Sequence, residues 1–300
     1  MQSAKKSVIF VGLIVLIMPI SISKIQFLPL NVGFAQHDSD WNWKNVRSPF
    51  ARLYYVTDGE AEVCIGVDNY TLTPGHLYLI PAFAQHNCVC KSKFAHYYIH
   101  IYEDQTGAGI LDEYNFPVEV EASESDLNLI RRLSELNPFL KLPESNPVAY
   151  DNHHTLVSNV RLHHQSPLHN KMESRGILYI LMSRFFKFAV PKEDVADSRI
   201  NQTINYIRRH LDSRIDLETL AGKACMSKDH FIRVFKRETG DTPNAYITKR
   251  KIDKAQLALI TTDYSIKAIA KMFGYNDHSY FNRLFKQFTG TTPQGYRTMR

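Results

Sequence analysis

Cysteine is scarce in this chain of 300 residues. The four present, Cys64, Cys88, Cys90 and Cys225, form no disulfide framework and read as reduced thiols. Catalytic signatures are absent as well. There is no Gly-rich phosphate loop, no nucleophile motif and no carboxylate pair. His153-His154, His163-His164 and His169 come nearest to a reactive cluster, but they fall in a Pro- and Asn-rich helical stretch with no nucleophile beside them. No enzyme and no cofactor is expected. Long apolar runs are also missing, with one exception. Val8 to Ile22 carries no charge and comes after Lys5-Lys6, a length that suits a signal-type segment better than a full membrane span.

Charge is unevenly spread. The net charge is +6, yet residues 197–300 hold 19 Lys and Arg against 10 Asp and Glu, while the remainder holds 17 against 20. A basic module joined to a slightly acidic one points to nucleic acid at one end and another task at the other. The length accommodates two domains with cores of their own.

The basic module contains a duplication. Phe231 to Tyr246 recurs fifty residues on as Phe281 to Tyr296, with nine of sixteen positions identical. Each copy predicts a helix with an apolar stripe, Phe231, Val234, Phe235 and Glu238 in one, Phe281, Leu284, Phe285 and Phe288 in the other. Ser227 and Asp277 suit the N-caps, and Gly240 and Gly290 suit the C-terminal stops. A shorter helix precedes each, over 217–224 and 266–273, across a tight turn. Short helix, turn and longer helix with a basic outer face is the helix-turn-helix pattern. A long helix over 243–261 should join the two copies.

These residues resemble the AraC/XylS family of bacterial transcription regulators over about 200–298. The resemblance rests on Leu217-Glu-Thr-Leu-Ala221, on Ser227 through Pro243 with Phe231, Arg233, Phe235, Lys236 and Gly240, and on Ile266, Ile269, Ala270, Gly274 and Tyr275. It continues through Tyr280 to Arg297 with Phe281, Arg283, Phe285, Lys286, Gly290 and Pro293. By position in that motif the DNA-facing residues are Lys228, Asp229, Ile232, Arg233 and Lys236 in the first copy. In the second they are His278, Ser279, Asn282, Arg283 and Lys286. Arg can pair two acceptors on guanine and Asn can pair adenine, whereas other contacts only hold phosphate. The resemblance implies duplex DNA, a small-molecule effector such as a carbohydrate, RNA polymerase and a second copy of the chain as partners. It also implies a cytoplasmic protein that activates transcription. Basic residues ahead of the 8–22 run would instead send the rest of the chain outward, away from DNA. We therefore expect residues 1–24 to be an extension ahead of the true start. A buried element is a further option, and a membrane-tethered sensor is the alternative reading.

Ahead of the basic module the periodicity is mostly two. Short strands are expected at 52–56, 61–65, 69–72, 77–80, 87–90 and 95–101, with turns at Asp58-Gly59, 67–69 and Pro74-Gly75. This predicts a β-barrel or jelly roll over 25–120. Gly75-x5-Pro81-x4-His86 resembles the second half of a cupin motif, with Phe83 where glycine is usual and no His-x-His upstream. Helices over 123–143 and 168–190, with Ile177, Ile180, Leu181 and Phe185 as one apolar face, make 121–190 a dimerisation segment by the same family resemblance. Residues 191–198 form a linker, and 199–300 a DNA-binding domain of seven helices. Aromatics of the β domain, Trp41, Trp43, Tyr54, Tyr78, Phe83 and Tyr98, with Arg52 and His86, are the candidate effector site. Plain core packing would account for many of them too. His86, Cys88 and Cys90 with His96 or His100 are zinc-type ligands, but their spacing matches no closed site, and no metal is expected.

Overall fold

A computed structural model describes residue 22 and residues 25–103, 109–192 and 195–299. The 1–24 extension lies almost wholly outside the described residues. Among the described residues no helix is long and apolar enough to cross a membrane.

The N-terminal half is built on two antiparallel sheets. One has the order β1 (Phe27–Asp38), β8 (Lys93–Glu103), β3 (Ala51–Gly59), β6 (His76–Ile80) and β10 (Glu119–Glu121). The other runs β2 (Trp43–Val46), β7 (His86–Val89), β4 (Ala61–Ile65) and β5 (Asp68–Leu72). Of the expected β-barrel or jelly roll, the structure shows a two-sheet β region, and among the described residues the two ladders do not join into one closed sheet. Trp41, Val56, Val63, Tyr78, Phe94 and Tyr98 fill the space between them. Period-two alternation revealed six strands but not β1, β2 or β10, and the first seven residues of β1 are all buried. A strand covered on both faces shows no alternation. Phe83 takes a left-handed backbone, with φ of 61°.

Helices cover the open face of the larger sheet. After α1 (Ile110–Glu113), α2 (Glu124–Leu136) and α5 (Leu168–Phe186) pack together over β1. A capping box between Ser123 and Asp126 starts α2, and Arg184 holds the Asp126 carboxylate at 3.0 Å. The buried face of α5 runs through Ile177, Leu178, Leu181 and Phe185. Ile180 falls at its rim and is 42 % exposed, so it does not belong to the core stripe assigned to it. Between these helices lie α3 (Pro147–Tyr150) and α4 (His153–Gln165). The short pair β9 (Tyr114–Asn115) and β11 (Val190–Pro191) ties the start of the linker back to the β domain.

The C-terminal part comprises α6 (Ser198–Arg209), α7 (Leu217–Lys223), α8 (Lys228–Thr239), α9 (Pro243–Thr261), α10 (Ile266–Met272), α11 (His278–Thr289) and α12 (Pro293–Met299). The duplication is visible at the helix ends. Gly240 and Gly290 both take φ of 80° and stop their helices. The N-caps differ, since Asp277 accepts from the amides of Ser279 and Tyr280 whereas the Ser227 side chain makes no cap bond. Phe288 is 40 % exposed and is not core. It occupies the last turn of α11, at the rim where the first copy has polar Glu238.

The two copies are buried differently. Ile200, Ile204, Leu220, Phe231, Phe235 and Tyr246 form a core belonging to the first unit alone. Among the described residues the second unit has no such private core. Phe273, Phe281, Phe285 and Tyr296 share one cluster with Leu28, Leu30, Phe50, Tyr150 and Leu156 of the N-terminal half, through Ile252, Ala255 and Leu259 of α9. Ion pairs flank this shared core, Arg47–Asp253 at 3.4 Å, Lys254–Asp112 at 2.7 Å and Arg161–Asp263 at 2.6 Å.

Candidate nucleic-acid interface and ligand cavity

Helices α8 and α11 share one logic from sequence to surface. An aromatic stripe (Phe231 and Phe235, Phe281 and Phe285) turns inward, and at a hundred degrees per residue the intervening positions turn outward. Lys228, Asp229, Arg233 and Lys236 are exposed on α8, as are His278, Ser279, Arg283 and Lys286 on α11. Ile232 and Asn282, equivalent in the repeat, are half-buried. The Oδ1 of Asn282 is shielded from water and has no hydrogen-bond partner among the described residues. Lys228 is engaged by Glu218 at 2.6 Å, which holds its ammonium above the ordinary lysine range. Arg283 stacks over the ring of Tyr280 at 5.7 Å. Tyr280 is itself exposed and stands beside the outer face, a position that its place in the repeat, opposite His230, could have drawn attention to. Both helices present mainly polar side chains outward. Each offers donors along a convex cylinder, which is the shape that enters a major groove.

The sensor-side candidates separate into distinct places. Trp41, Tyr54 and Tyr98 line one cavity of about 240 Å³, together with His37, His96, His100, Tyr150 and the 142–145 turn. Trp43 lines a different groove with Lys44, Arg47 and Asn146. Phe83 sits at the cleft between the β domain and α9, under the guanidinium of Arg47. Tyr78 is wholly buried and bonded to Thr71 and Glu119. His86 is buried, with Nδ1 on the carbonyl of Ala84.

Arg52 lies behind the cavity rather than in it. Its guanidinium donates to Ser48 Oγ at 2.5 Å and to Nε2 of His100 at 3.2 Å, between the rings of Phe50 and Tyr150. Ser48 in turn donates to Asp151. Because His100 accepts at Nε2, its Nδ1 carries the proton and donates to Asn31. This network fixes two walls of the cavity, His100 and Tyr150.

The histidines of the cavity are held neutral. Burial pushes His96 down to about 3, and burial beside the Arg52 charge holds His100 well below the ordinary imidazole value. Burial also lowers His37, against the opposing pull of Asp40. His37 Nε2 and His96 Nδ1 have no hydrogen-bond partner among the described residues. Room for Tyr98 comes from Gly33 across the ladder, where a Cβ would sit 2.3 Å from the phenol oxygen. That oxygen accepts from the amide of Leu142 and so anchors the turn over the cavity. His37, His96 and His100 went unassigned as ligand contacts in the sequence. The alternation of His96 and His100 with Tyr98 on β8 is the signal that places those two on one face, and His37 joins them from β1. Among the described residues no three His, Cys, Asp or Glu side chains are arranged to hold a metal. Cys88 is a buried thiol pushed up to about 12 by burial.

A sequence model of the helix-turn-helix domain family matches residues 220–299. The segment is similar to that of the HTH-type transcriptional activator Btr of Bacillus subtilis, 33 % identical over 110 residues. This is an AraC/XylS-type helix-turn-helix domain. The AraC-type match covers 37 % of this chain and only 20 % of Btr. A longer match, 21 % identical, covers 76 % of this chain and 77 % of the lactose operon transcription activator of Staphylococcus xylosus. Among solved structures, the DNA-binding domain of AdpA in complex with a target DNA is 30 % identical. That match covers 33 % of this chain and 89 % of AdpA's, with a TM-score of 0.32.

Proposed function

We propose that this protein is a cytoplasmic, sequence-specific transcription regulator that activates its target and responds to a small uncharged effector. The observation that carries the DNA part is the repeated, outward-facing set Arg233/Lys236 and Arg283/Lys286 on two equivalent helices of an AraC-type domain. Arg233 and Arg283 are the principal base readers. Asn282 reads bases in the second unit, and Lys236 and Lys286 hold phosphate. Activation proceeds by contact with RNA polymerase.

The effector site is the cavity that β1, β3 and β8 of a cupin-like β domain line together with Trp41 and the 142–145 turn. Trp41 and the tyrosines supply flat apolar walls, while neutral imidazoles with unpartnered nitrogens supply polar contacts without charge. That combination suits a hydroxyl-rich neutral molecule, a carbohydrate, better than an anion. Occupancy would be felt at Tyr150, whose ring lines the cavity and also belongs to the apolar cluster shared with the second helix-turn-helix unit. Two copies pair through 121–190, where Leu168 and Met172 of α5 expose apolar surface.

The test is binding of the full-length chain to duplex DNA as salt is raised. Affinity should fall steeply through release of condensed counterions, and a neutral sugar should change it. Affinity indifferent to salt would overturn the DNA reading. Unchanged binding and melting temperature across a sugar panel would overturn the carbohydrate reading alone.

A further inference from the structure

Two recognition helices read a pair of half-sites only if their separation is fixed. A single helix, α9, joins the units, and one side chain on it touches both. Lys251 is 5 % exposed. Its ammonium donates to the carbonyl of Ser213, in the α6–α7 connection of the first unit, at 2.6 Å. It donates equally to the carbonyl of Phe273, at the end of α10 in the second unit, at 2.7 Å. The ring of Tyr275 lies 5.5 Å away on the second unit's side. The two backbones also meet directly at this point. Gly274 takes φ of 77°, and a Cβ there would lie 3.1 Å from the Ser213 carbonyl carbon and oxygen. Buried ammonium groups are costly unless hydrogen-bonded, so these two carbonyls are held to the lysine and thereby to each other. Burial lowers Lys251 to about 8, which leaves it mostly charged at neutral pH.

We infer that Lys251 is a positioning residue that sets the distance and angle between α8 and α11, and with them the half-site separation the protein accepts. This rests on the proposal that both units read DNA. A protein without the clamp would keep α9 but lose the cross-unit bonds, so each helix could still enter a groove while their relative placement loosened.

The experiment is selection of duplex sites by the full-length chain, then binding to paired half-sites at stepped separations. Wild type should accept one separation, with half-sites in successive grooves about 34 Å apart. Lys251→Met should accept several and lose about tenfold on the best paired site, while binding a single half-site as wild type does. Lys251→Arg should restore the single separation. If wild type selects no paired site, the two-unit DNA reading itself fails. If it does and Lys251→Met keeps the same sharp separation, the positioning role is refuted. Should Lys251→Met not fold, Gly274→Ala decides, because it wedges the same contact with the ammonium intact. A broadened or displaced separation in that variant supports the clamp, and an unchanged one overturns it.

Discussion

The two helix-turn-helix units are close copies in sequence and unlike in their setting. The first closes its own core around Phe231 and Phe235. The second buries Phe281 and Phe285 in a cluster completed by Leu30, Phe50, Tyr150 and Leu156 of the β domain and its helices. Equal recognition helices are thus mounted on unequal supports. The second shares its core with the N-terminal half, while the first meets that half through ion pairs such as Arg209–Glu113 at 3.0 Å. The difference teaches that duplication of a motif does not duplicate its coupling. The second unit meets the β domain through apolar packing, and the first is tied to the second through Lys251 and α9.

The largest test of this comparison is a pair of core truncations. Phe231→Ala and Phe281→Ala should each cost about 3–5 kcal/mol. Hydrogen exchange should then separate them. Phe281→Ala should lower protection in β1 and α4 as well as in α11, whereas Phe231→Ala should lower it within α6–α8. Equal, local losses from both would break the comparison.

Acid should discriminate between the same regions. His86 and His163 are pushed down to about 4 and His96 to about 3, chiefly by burial, and all three lie in the N-terminal part of the chain, ahead of the helix-turn-helix units. Between pH 6.5 and these values the unfolded chain binds protons that the folded chain does not, so stability falls as pH falls. Each histidine contributes a slope of about 1.4 kcal/mol per pH unit across that window. Melting monitored by tryptophan fluorescence, which reports Trp41 and Trp43, should therefore shift down from pH 6.5 toward 4. His96→Gln should flatten the slope.

Recognition comes next in size. Arg233→Ala and Arg283→Ala should each cost roughly 1–3 kcal/mol on a cognate site. Asn282→Ala should relax base preference at one position, and Ile232→Ala should change it less, since the first unit offers only apolar contact there. Lys286→Ala should weaken all sequences alike and reduce the salt slope by about one unit. An unaltered selected sequence for Asn282→Ala would remove Asn282 from the base readers and leave that role in the second unit to Arg283.

The smallest effect is expected at the rim of the shared core. Arg161 and Asp263 are both more than half exposed, and such pairs contribute about 0–1 kcal/mol. Arg161→Ala should leave the melting temperature nearly unchanged. A large drop would mean that ion pairs, rather than the apolar cluster, hold the second unit to the sensor.

Much of this architecture could be read from the chain. Helix α9 spans the 243–261 stretch expected between the two copies, and the capping glycines sit at 240 and 290. The outward set on α8 and α11 comes from periodicity and the family motif together. Phe288 and Ile180 were misplaced because periodicity assigns a face without saying where along the helix its partner stops. The candidate effector residues scattered for a related reason. Aromatic composition marks a domain rich in rings, but rings that fill a core and rings that line a cavity have the same sequence signature.

By itself, then, the sequence determined what each local segment becomes, since helix period, caps and turn chemistry act over a few residues. It also determined that the motif occurs twice and which face carries the charge. Only the tertiary structure decided which cavity Trp41, His96 and Tyr98 share, and that Tyr150 links it to the second unit. It also decided that Lys251 bridges two carbonyls sixty residues apart in the chain. Those relations depend on packing between segments distant in sequence, where the free energy comes from burying surfaces that no local pattern pairs with one another.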